Sequence, residues 1–371
     1  GRGSVFPCAY AYRGAARRER VTRRGPVELR VNAWGIEHLA MDTVWEAEAT
    51  GIQWLQKLGE WLVLPLTAFT QRGAQTVVIA LLALVFWCVH AGTGARLFVA
   101  VIASGVLNFF LKSVLHGPRP YWYSAQVSGF GAESSFGMPS GHAQTATVMY
   151  GFLGVRSGRR SWFWGAVALI AVICFSRLYL GLHFFSDVVV GVLLGLLVLW
   201  VALRYEEPLL RWWRGLTDPR AVSYALAASL IPCVVASAWQ LGVRGDWSVP
   251  ADVWIGATST DPAGYTLTGL FLVAGAFFGG VVGFTLLASR GWYSAEGTLI
   301  QRVSRFGLGI SVVVVALALE EVLFGGLTGM AEAVVTYLVY AGVAFWATFV
   351  APRMFLRSGL AGLPEPAGET P

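Results

Sequence analysis

Long apolar stretches alternate with short polar connections along most of this chain. Their length and continuity predict membrane-crossing helices at about 75–91, 96–116, 142–155, 161–179, 183–204, 221–243, 263–289, 306–327 and 331–351. The run 142–155 is at the short limit for a crossing. Apolar residues are contiguous here rather than alternating, which argues against a large β-barrel and for an all-α fold, a polytopic transmembrane helix bundle. Residues 43–70 carry Trp45, Ile52, Leu55, Leu58, Leu62 and Leu66 near helical spacing. Lys57 and Glu60 interrupt that apolar face and Pro65 bends or ends it, so an interfacial helix is preferred to another span.

Composition agrees with this pattern. Of 371 residues, 56% are hydrophobic and 13% charged, against about 25% charged in a soluble domain. The net charge of +6 comes mostly from Arg outside the apolar runs, and it reads as a topology signal rather than as nucleic-acid binding. Alternate connections carry Arg96, then Arg156, Arg159 and Arg160, then Arg204, Arg211, Arg214 and Arg220, then Arg290, Arg302 and Arg305, and last Arg353 and Arg357. These connections are expected to be cytoplasmic, and the opposite ones hold Glu133, Asp246, Asp252 and Asp261. Residues 1–42 form a basic irregular tail whose run of Arg17, Arg18, Arg20, Arg23 and Arg24 has no apolar segment beside it, unlike a signal peptide. The tail reads equally as a segment near anionic lipid or as upstream sequence translated from a wrong start, since the chain begins without Met. Cys88, Cys174 and Cys233 fall in apolar runs and Cys8 in the tail, so they read as fillers rather than as disulfides or metal ligands.

Three polar clusters break the apolar pattern: Lys112-x6-Arg119-Pro120, then Pro139-Ser140-Gly141-His142, then Ser176-Arg177-x5-His183-x3-Asp187. Strict alternation of the predicted spans puts all three on the same, extracytoplasmic side. Lys112 by itself would read as a cation snorkelling from a boundary, but together with Arg119 and Arg177 it supplies the charge that holds a phosphate. Ser140 is a good helix cap, and the open N–H groups of a helix start, with Gly141 allowing close approach, attract anions. His183 and Asp187 stand four residues apart on one helical face, where a carboxylate can fix the imidazole tautomer and free its other nitrogen to attack. As an isolated pair they would read as a satisfied interfacial histidine.

In this order and spacing the three clusters resemble the signature of the type 2 phosphatidic acid phosphatase superfamily, the integral-membrane lipid phosphate phosphatases. The surrounding wording, Gly137-Met138-Pro139-Ser140-Gly141-His142-Ala143-Gln144 and Arg177-Leu178-Tyr179-Leu180-Gly181-Leu182-His183, is also typical of that family. The resemblance covers residues 75–204. It implies a phosphatase core at 43–204, consisting of the interfacial helix and five spans. About four more spans follow at 205–352 with no second catalytic constellation, and 353–371 is a polar tail. It further implies His183 as nucleophile, Asp187 as its orienting partner and His142 as general acid. Lys112, Arg119, Arg177, Ser140 and the Gly141 N–H would hold the phosphoryl oxygens, without a metal or other cofactor. The implied partners are membrane lipids and a lipid phosphate: polyprenyl diphosphate such as undecaprenyl diphosphate, phosphatidic acid, phosphatidylglycerol phosphate or a sphingoid phosphate. The Gly-Met-Pro-Ser-x-His-x-Gln wording leans toward the dolichyl-diphosphatase and sphingosine-phosphate branches. The expected setting is the plasma membrane of a prokaryote.

Other features are read more plainly. His116 is a bystander, or else tunes Arg119. Tyr121, Trp122 and Tyr123 fit an interfacial aromatic belt, with substrate contact as the second option. Glu320 and Glu321 read first as a boundary pair and second as a proton or cation site. Pro232 is placed to kink its helix. Dimerisation, a partner scaffold and shaping of a lipid entrance are three roles open to residues 205–371. Two other functions compete with hydrolysis. A lipid transporter or scaffold would keep the phosphate pocket but has no use for two positioned imidazoles. A vanadate-dependent haloperoxidase would share the pocket but is a soluble protein.

Overall fold

The structure is a computed structural model and describes residues 35–70, 74–131, 133–245, 248–250, 254, 256 and 261–364. Two compact units divide the chain, Gly1–Thr43 and Val44–Pro371. The described part of the first, residues 35–43, is helical. The second unit holds the rest of helix α1 (Gly35–Gln56), a 3₁₀ turn at Glu60–Leu62 and α2 (Val63–Thr70). Next come α3 (Ala74–Leu84, continued by a π turn at Val85–Val89), α4 (Ala91–Leu115), the short α5 (Pro120–Tyr123), α6 (Gly141–Arg156), α7 (Arg160–Tyr179) and α8 (Phe185–Arg214). The remainder is α9 (Asp218–Ala238), α10 (Pro262–Ser289), α11 (Leu299–Phe324), α12 (Gly329–Phe345) and α13 (Ala351–Arg357). The protein is an all-α polytopic membrane protein, and among the described residues seven helical stretches are long and apolar enough to cross a bilayer. Two predicted spans are shorter, Thr76–Val89 and the 16-residue α6. The latter is enclosed by α4, α7 and α8.

Several helices outrun their apolar windows. α8 begins at Phe185 and continues past residue 204, with Pro208 inside it. α11 starts at Leu299, where Thr298 and Gln301 form a capping box. Hydropathy marks the stretch that fits hydrocarbon, whereas helical hydrogen bonding continues through the polar turns beyond it. A second π turn, Trp346–Val350, carries α12 into α13, so residues 353–357 are helical and Phe355 is buried against Trp87.

One core gathers Leu97, Val101, Val148, Phe152 and Leu199 among α3, α4, α6 and α8. Another gathers Cys233, Leu270, Ala274, Ala333 and Tyr337 among α9, α10 and α12. α4 borders both, because Val106, Phe109 and Phe110 pack on the second core. α10 approaches α12 so closely that a Cβ at Gly275 or Gly279 would strike the carbonyls of Tyr337 and Ala341. Small residues at this spacing let helices associate in lipid, where no hydrophobic force draws them together. Leu193, Leu196, Leu197 and Trp200 of α8 remain exposed, as expected of a face that meets hydrocarbon.

Candidate active site

Four helix ends converge, and the polar clusters sit on them. Lys112 lies in the last turn of α4, and Ser140, Gly141 and His142 open α6. Arg177 lies in the last turn of α7 and Asp187 in the first turn of α8, while Arg119 and His183 stand in the adjoining loops. Helix α4 stops where His116 takes a left-handed conformation at φ 53°, ahead of Gly117 and Pro118. Gly181, at φ 70°, turns the chain back after α7 so that Leu182 N and His183 N both donate to the Arg177 carbonyl, at 3.1 and 3.3 Å.

Lys112, Arg119 and Arg177 are 3%, 1% and 0% exposed. They therefore do not snorkel to solvent, and each long cation is held inward by polar atoms. Lys112 Nζ donates to the Phe136 carbonyl and, at 2.9 Å, to that of Gly137. Arg119 donates from Nε to Ser135 O at 2.7 Å, from Nη1 to Leu182 O at 3.0 Å, and from Nη2 to Ser135 Oγ at 3.1 Å and Phe136 O at 3.2 Å. Its guanidinium also lies 5.6 Å from the Trp122 ring centroid. Arg177 Nε donates to Ser176 Oγ at 3.3 Å.

Arg119 Nη1 is 3.4 Å from His183 Nε2. On the other side of the ring, His183 Nδ1 is 3.3 Å from Asp187 Oδ2, which also accepts from Phe184 N at 3.0 Å. A carboxylate accepts but does not donate, so this contact puts the imidazole proton on Nδ1 and leaves the Nε2 lone pair facing the cations. Asp187 Oδ1 has no hydrogen-bond partner among the described residues. Ser140 Oγ accepts from Ala143 N at 3.5 Å, and Ser140 N donates to the Asp187 carbonyl at 3.0 Å, tying the start of α6 to the start of α8. His142 and Gly141 line the same cavity as Lys112, Arg119 and His183.

The electrostatics follow from this crowding. Burial lowers the His183 pKa well below its ordinary 6.5, and Arg119, Lys112, His142 and Arg177 push it in the same direction, so the free imidazole is neutral at pH 7. Glu133 also enters the cup, its Oε2 3.7 Å from Arg119 Nη2. Burial works to raise the Glu133 pKa, but the charges of Arg119, His142, Lys112 and Arg177 more than offset it, so the carboxyl is held below its ordinary range.

Several contributors were not singled out from the sequence. Asn108 Nδ2 donates to Pro139 O at 3.3 Å and to Gln144 Oε1 at 2.8 Å, and Gln144 Nε2 donates to Ser104 O at 2.9 Å. Ser104, Asn108 and Lys112 recur every four residues in an apolar helix, a polar stripe that the sequence does display. Glu48 of α1 accepts from Ser186 N at 3.1 Å and from Ser186 Oγ at 3.0 Å, at the start of α8. Trp45, on the same helix, packs on Tyr123 and Phe184 at centroid distances of 5.8 and 6.1 Å. The segment that the sequence suggests as an interfacial helix thus also buttresses the site, while Trp54, Trp61 and Leu64 stay exposed.

His116 stacks on Phe136 with centroids 4.3 Å apart, supporting the residue whose carbonyl receives Lys112 and Arg119. The aromatic triplet does not form an outward belt. Trp122 is buried beside Trp254, and the Tyr121 hydroxyl bonds the backbone of Glu133 on both sides. Glu320 and Glu321 lie in the last turn of α11, with Glu321 exposed. Asp246, Asp252, Cys8 and the Arg run of the tail fall outside the described residues.

Comparison with known proteins gives two family matches. Residues 93–211 match the PAP2 superfamily model, and residues 271–363 match the model of the PAP2 superfamily phosphatase transmembrane extension. Phosphatidylglycerophosphatase B of Bacillus subtilis is 27% identical over 165 residues, covering 41% of this chain and 79% of that protein. Glucose-6-phosphatase catalytic subunit 1 of Haplochromis nubilus is 29% identical over 141 residues, covering 29% of this chain but 38% of that protein. Among solved structures, a transmembrane PAP2-type phosphatidylglycerolphosphate phosphatase from Bacillus subtilis aligns with 22% identity and a TM-score of 0.36, over 46% of this chain and 96% of that one.

Proposed function

Because the chain belongs to the PAP2 superfamily and carries its transmembrane extension, we propose that it hydrolyses a lipid phosphate or diphosphate through a phosphohistidine on His183. The observation that carries this reading is the aim of one imidazole. His183 Nε2 faces the Arg119 fork at 3.4 Å while Nδ1 is held at 3.3 Å by Asp187. A neutral, oriented nitrogen beside fixed cations is what attack on a bound phosphoryl group requires.

In the proposed reaction Lys112, Arg119 and Arg177 hold the phosphoryl oxygens, with Ser140 and the Gly141 N–H at the start of α6. His183 Nε2 forms a bond to phosphorus as the bond to the leaving oxygen breaks. That oxygen keeps the electron pair and takes a proton from His142 acting as general acid. Neutral His142 then accepts a proton from water, which attacks the phosphohistidine. The P–N bond breaks, and inorganic phosphate departs from a regenerated His183. Charge on the transferring group is balanced by the three cations already in place.

The position of the site supports a lipid phosphate as the substrate class. A phosphate cup at the ends of apolar helices suits an amphiphile, and the Bacillus relative is named for a phospholipid substrate. The sequence wording, like that of the dolichyl-diphosphatase and sphingosine-phosphate branches, supports a polyprenyl diphosphate or a related lipid phosphate. The site is proposed to face the extracytoplasmic side of a prokaryotic plasma membrane. Arg96 and Arg156 support this, meeting Glu206 at the opposite helix ends, Arg96 Nε at 3.4 Å.

The test is phosphate release in detergent with a chelator present. Polyprenyl diphosphate, phosphatidic acid, phosphatidylglycerol phosphate, a sphingoid phosphate and glucose 6-phosphate are compared. At least one lipid phosphate should be turned over, and faster than the sugar phosphate. His183→Ala should abolish turnover with an unchanged thermal unfolding curve. Wild-type turnover by that variant would overturn the mechanism.

A further inference from the structure

Among the described residues, the extension contributes none to the cluster of cations and histidines, yet it borders the same cavity. That cavity, about 680 Å³ in volume, is lined by Lys112, Arg119, His142 and His183 at one end. Away from them its walls are mainly apolar, with Asn108, Thr145 and Thr348 among the polar exceptions. Along α4 the lining continues from Lys112 through Asn108, Gly105 and Val101 to Phe98. Fourteen residues of helix separate the first from the last, a depth of about 21 Å. Half of a bilayer's hydrocarbon core is about 15 Å thick. Measured along α4, the channel is therefore longer than half of a bilayer's hydrocarbon core.

One side of the channel belongs to the extension: Val273 and Ala276 of α10, Ile310 and Val313 of α11, and Tyr340 and Val343 of α12. α3 and α6 supply other walls, including Leu82 and Met149. α10 is held against α4 at this depth, since a Cβ at Gly105 would lie 3.2 Å from Val273 Cγ1. An occupant that touches both ends must carry an anionic group at one end and a long hydrocarbon chain at the other.

We propose that α10, α11 and α12 form the inner wall of a channel that holds the hydrocarbon tail of the phosphorylated substrate. This rests on the phosphatase reading and assigns the extension a part in it. A tail seated in the channel anchors the phosphate beneath His183 and exchanges lipid contacts for protein contacts chosen by length. The enzyme should therefore discriminate among tails, favouring those long enough to fill the channel.

The experiment uses the full chain in mixed detergent micelles with two single-chain probes, octyl phosphate and hexadecyl phosphate. Ala276→Trp and Val313→Trp place a bulky plug in the channel. Val314→Trp places the same bulk on the exposed face of α11 as a control. The hexadecyl-to-octyl ratio of kcat/KM should fall toward one in both plugged variants, because the plug removes packing contacts that only the longer tail makes. It should stay at the wild-type value in the control. Ala276→Leu, a smaller plug, is read the same way if a Trp variant fails to fold. An unchanged ratio in folded plugged variants that still hydrolyse both probes overturns the channel and leaves the phosphatase reading standing. Wild-type protein that hydrolyses neither probe, nor any other lipid phosphate, sinks the phosphatase reading itself.

Discussion

Asp187→Asn isolates what the carboxylate does for His183. The change removes a charge and keeps the shape. Oδ2 meets His183 Nδ1 at 3.3 Å and Phe184 N at 3.0 Å. An amide can keep its oxygen there, which preserves both contacts but removes the negative charge. Turned over, it presents NH₂ instead, leaves Phe184 N unpaired and drives the histidine proton to Nε2, where it blocks attack. The charge matters because, in the proposed reaction, His183 becomes cationic when phosphorus bonds to Nε2. At 3.3 Å and an effective dielectric near 20, a carboxylate favours that charge by about 5 kcal/mol. At about 1.36 kcal/mol per decade this corresponds to a roughly 10³–10⁴-fold loss in kcat. KM should move little, because Lys112, Arg119 and Arg177 are untouched. Steady-state phosphate release over a range of substrate concentrations gives both parameters, and a thermal unfolding curve shows whether the variant is folded. A folded Asn variant with kcat within about fivefold of wild type would refute the reasoning. So would a loss confined to KM, which would make Asp187 a binding residue.

Two further outcomes test the site. Arg119→Lys keeps a positive charge but cannot reproduce a fork that donates to Ser135, Phe136 and Leu182 at once, so kcat/KM should fall about a hundredfold; retention within about threefold would show that charge alone suffices. The pH profile of kcat/KM reports the free enzyme, in which the His183 pKa lies below 6.5. A depressed pKa means that the reactive neutral imidazole persists as pH falls through 6.5 and is protonated only further down, so the acid limb should lie below 6.5; a limb at or above that value would contradict the environment described for His183.

Membrane helices are legible in the sequence because a backbone in hydrocarbon must satisfy its hydrogen bonds within each segment, a local condition written in runs such as 263–289. Helix ends were less legible. α8 runs on to Arg214 through Pro208, and α11 begins at Leu299, because capping and interfacial polar turns extend helices beyond their apolar windows. The cluster residues themselves stood out, since charges are costly beside apolar spans, and the structure gathers them at four helix ends. Their supports did not stand out. The Phe136 and Gly137 carbonyls that receive Lys112 carry no side-chain signature, and nothing local tells that Glu48 will cap a helix beginning 137 residues later.

By itself, then, the sequence determined the all-helical membrane class and the identity of the polar residues, because both depend on burial costs paid within a single helix or turn. The tertiary structure alone decided that Glu133 enters the cation cup, that the aromatic triplet turns inward, and that α10 to α12 border the same cavity as His183. Those outcomes depend on which helix faces meet. In lipid that choice rests on close-fitting shape, such as Gly275 and Gly279 against the backbone of α12, and shape between distant segments is not written in the order of residues along the chain.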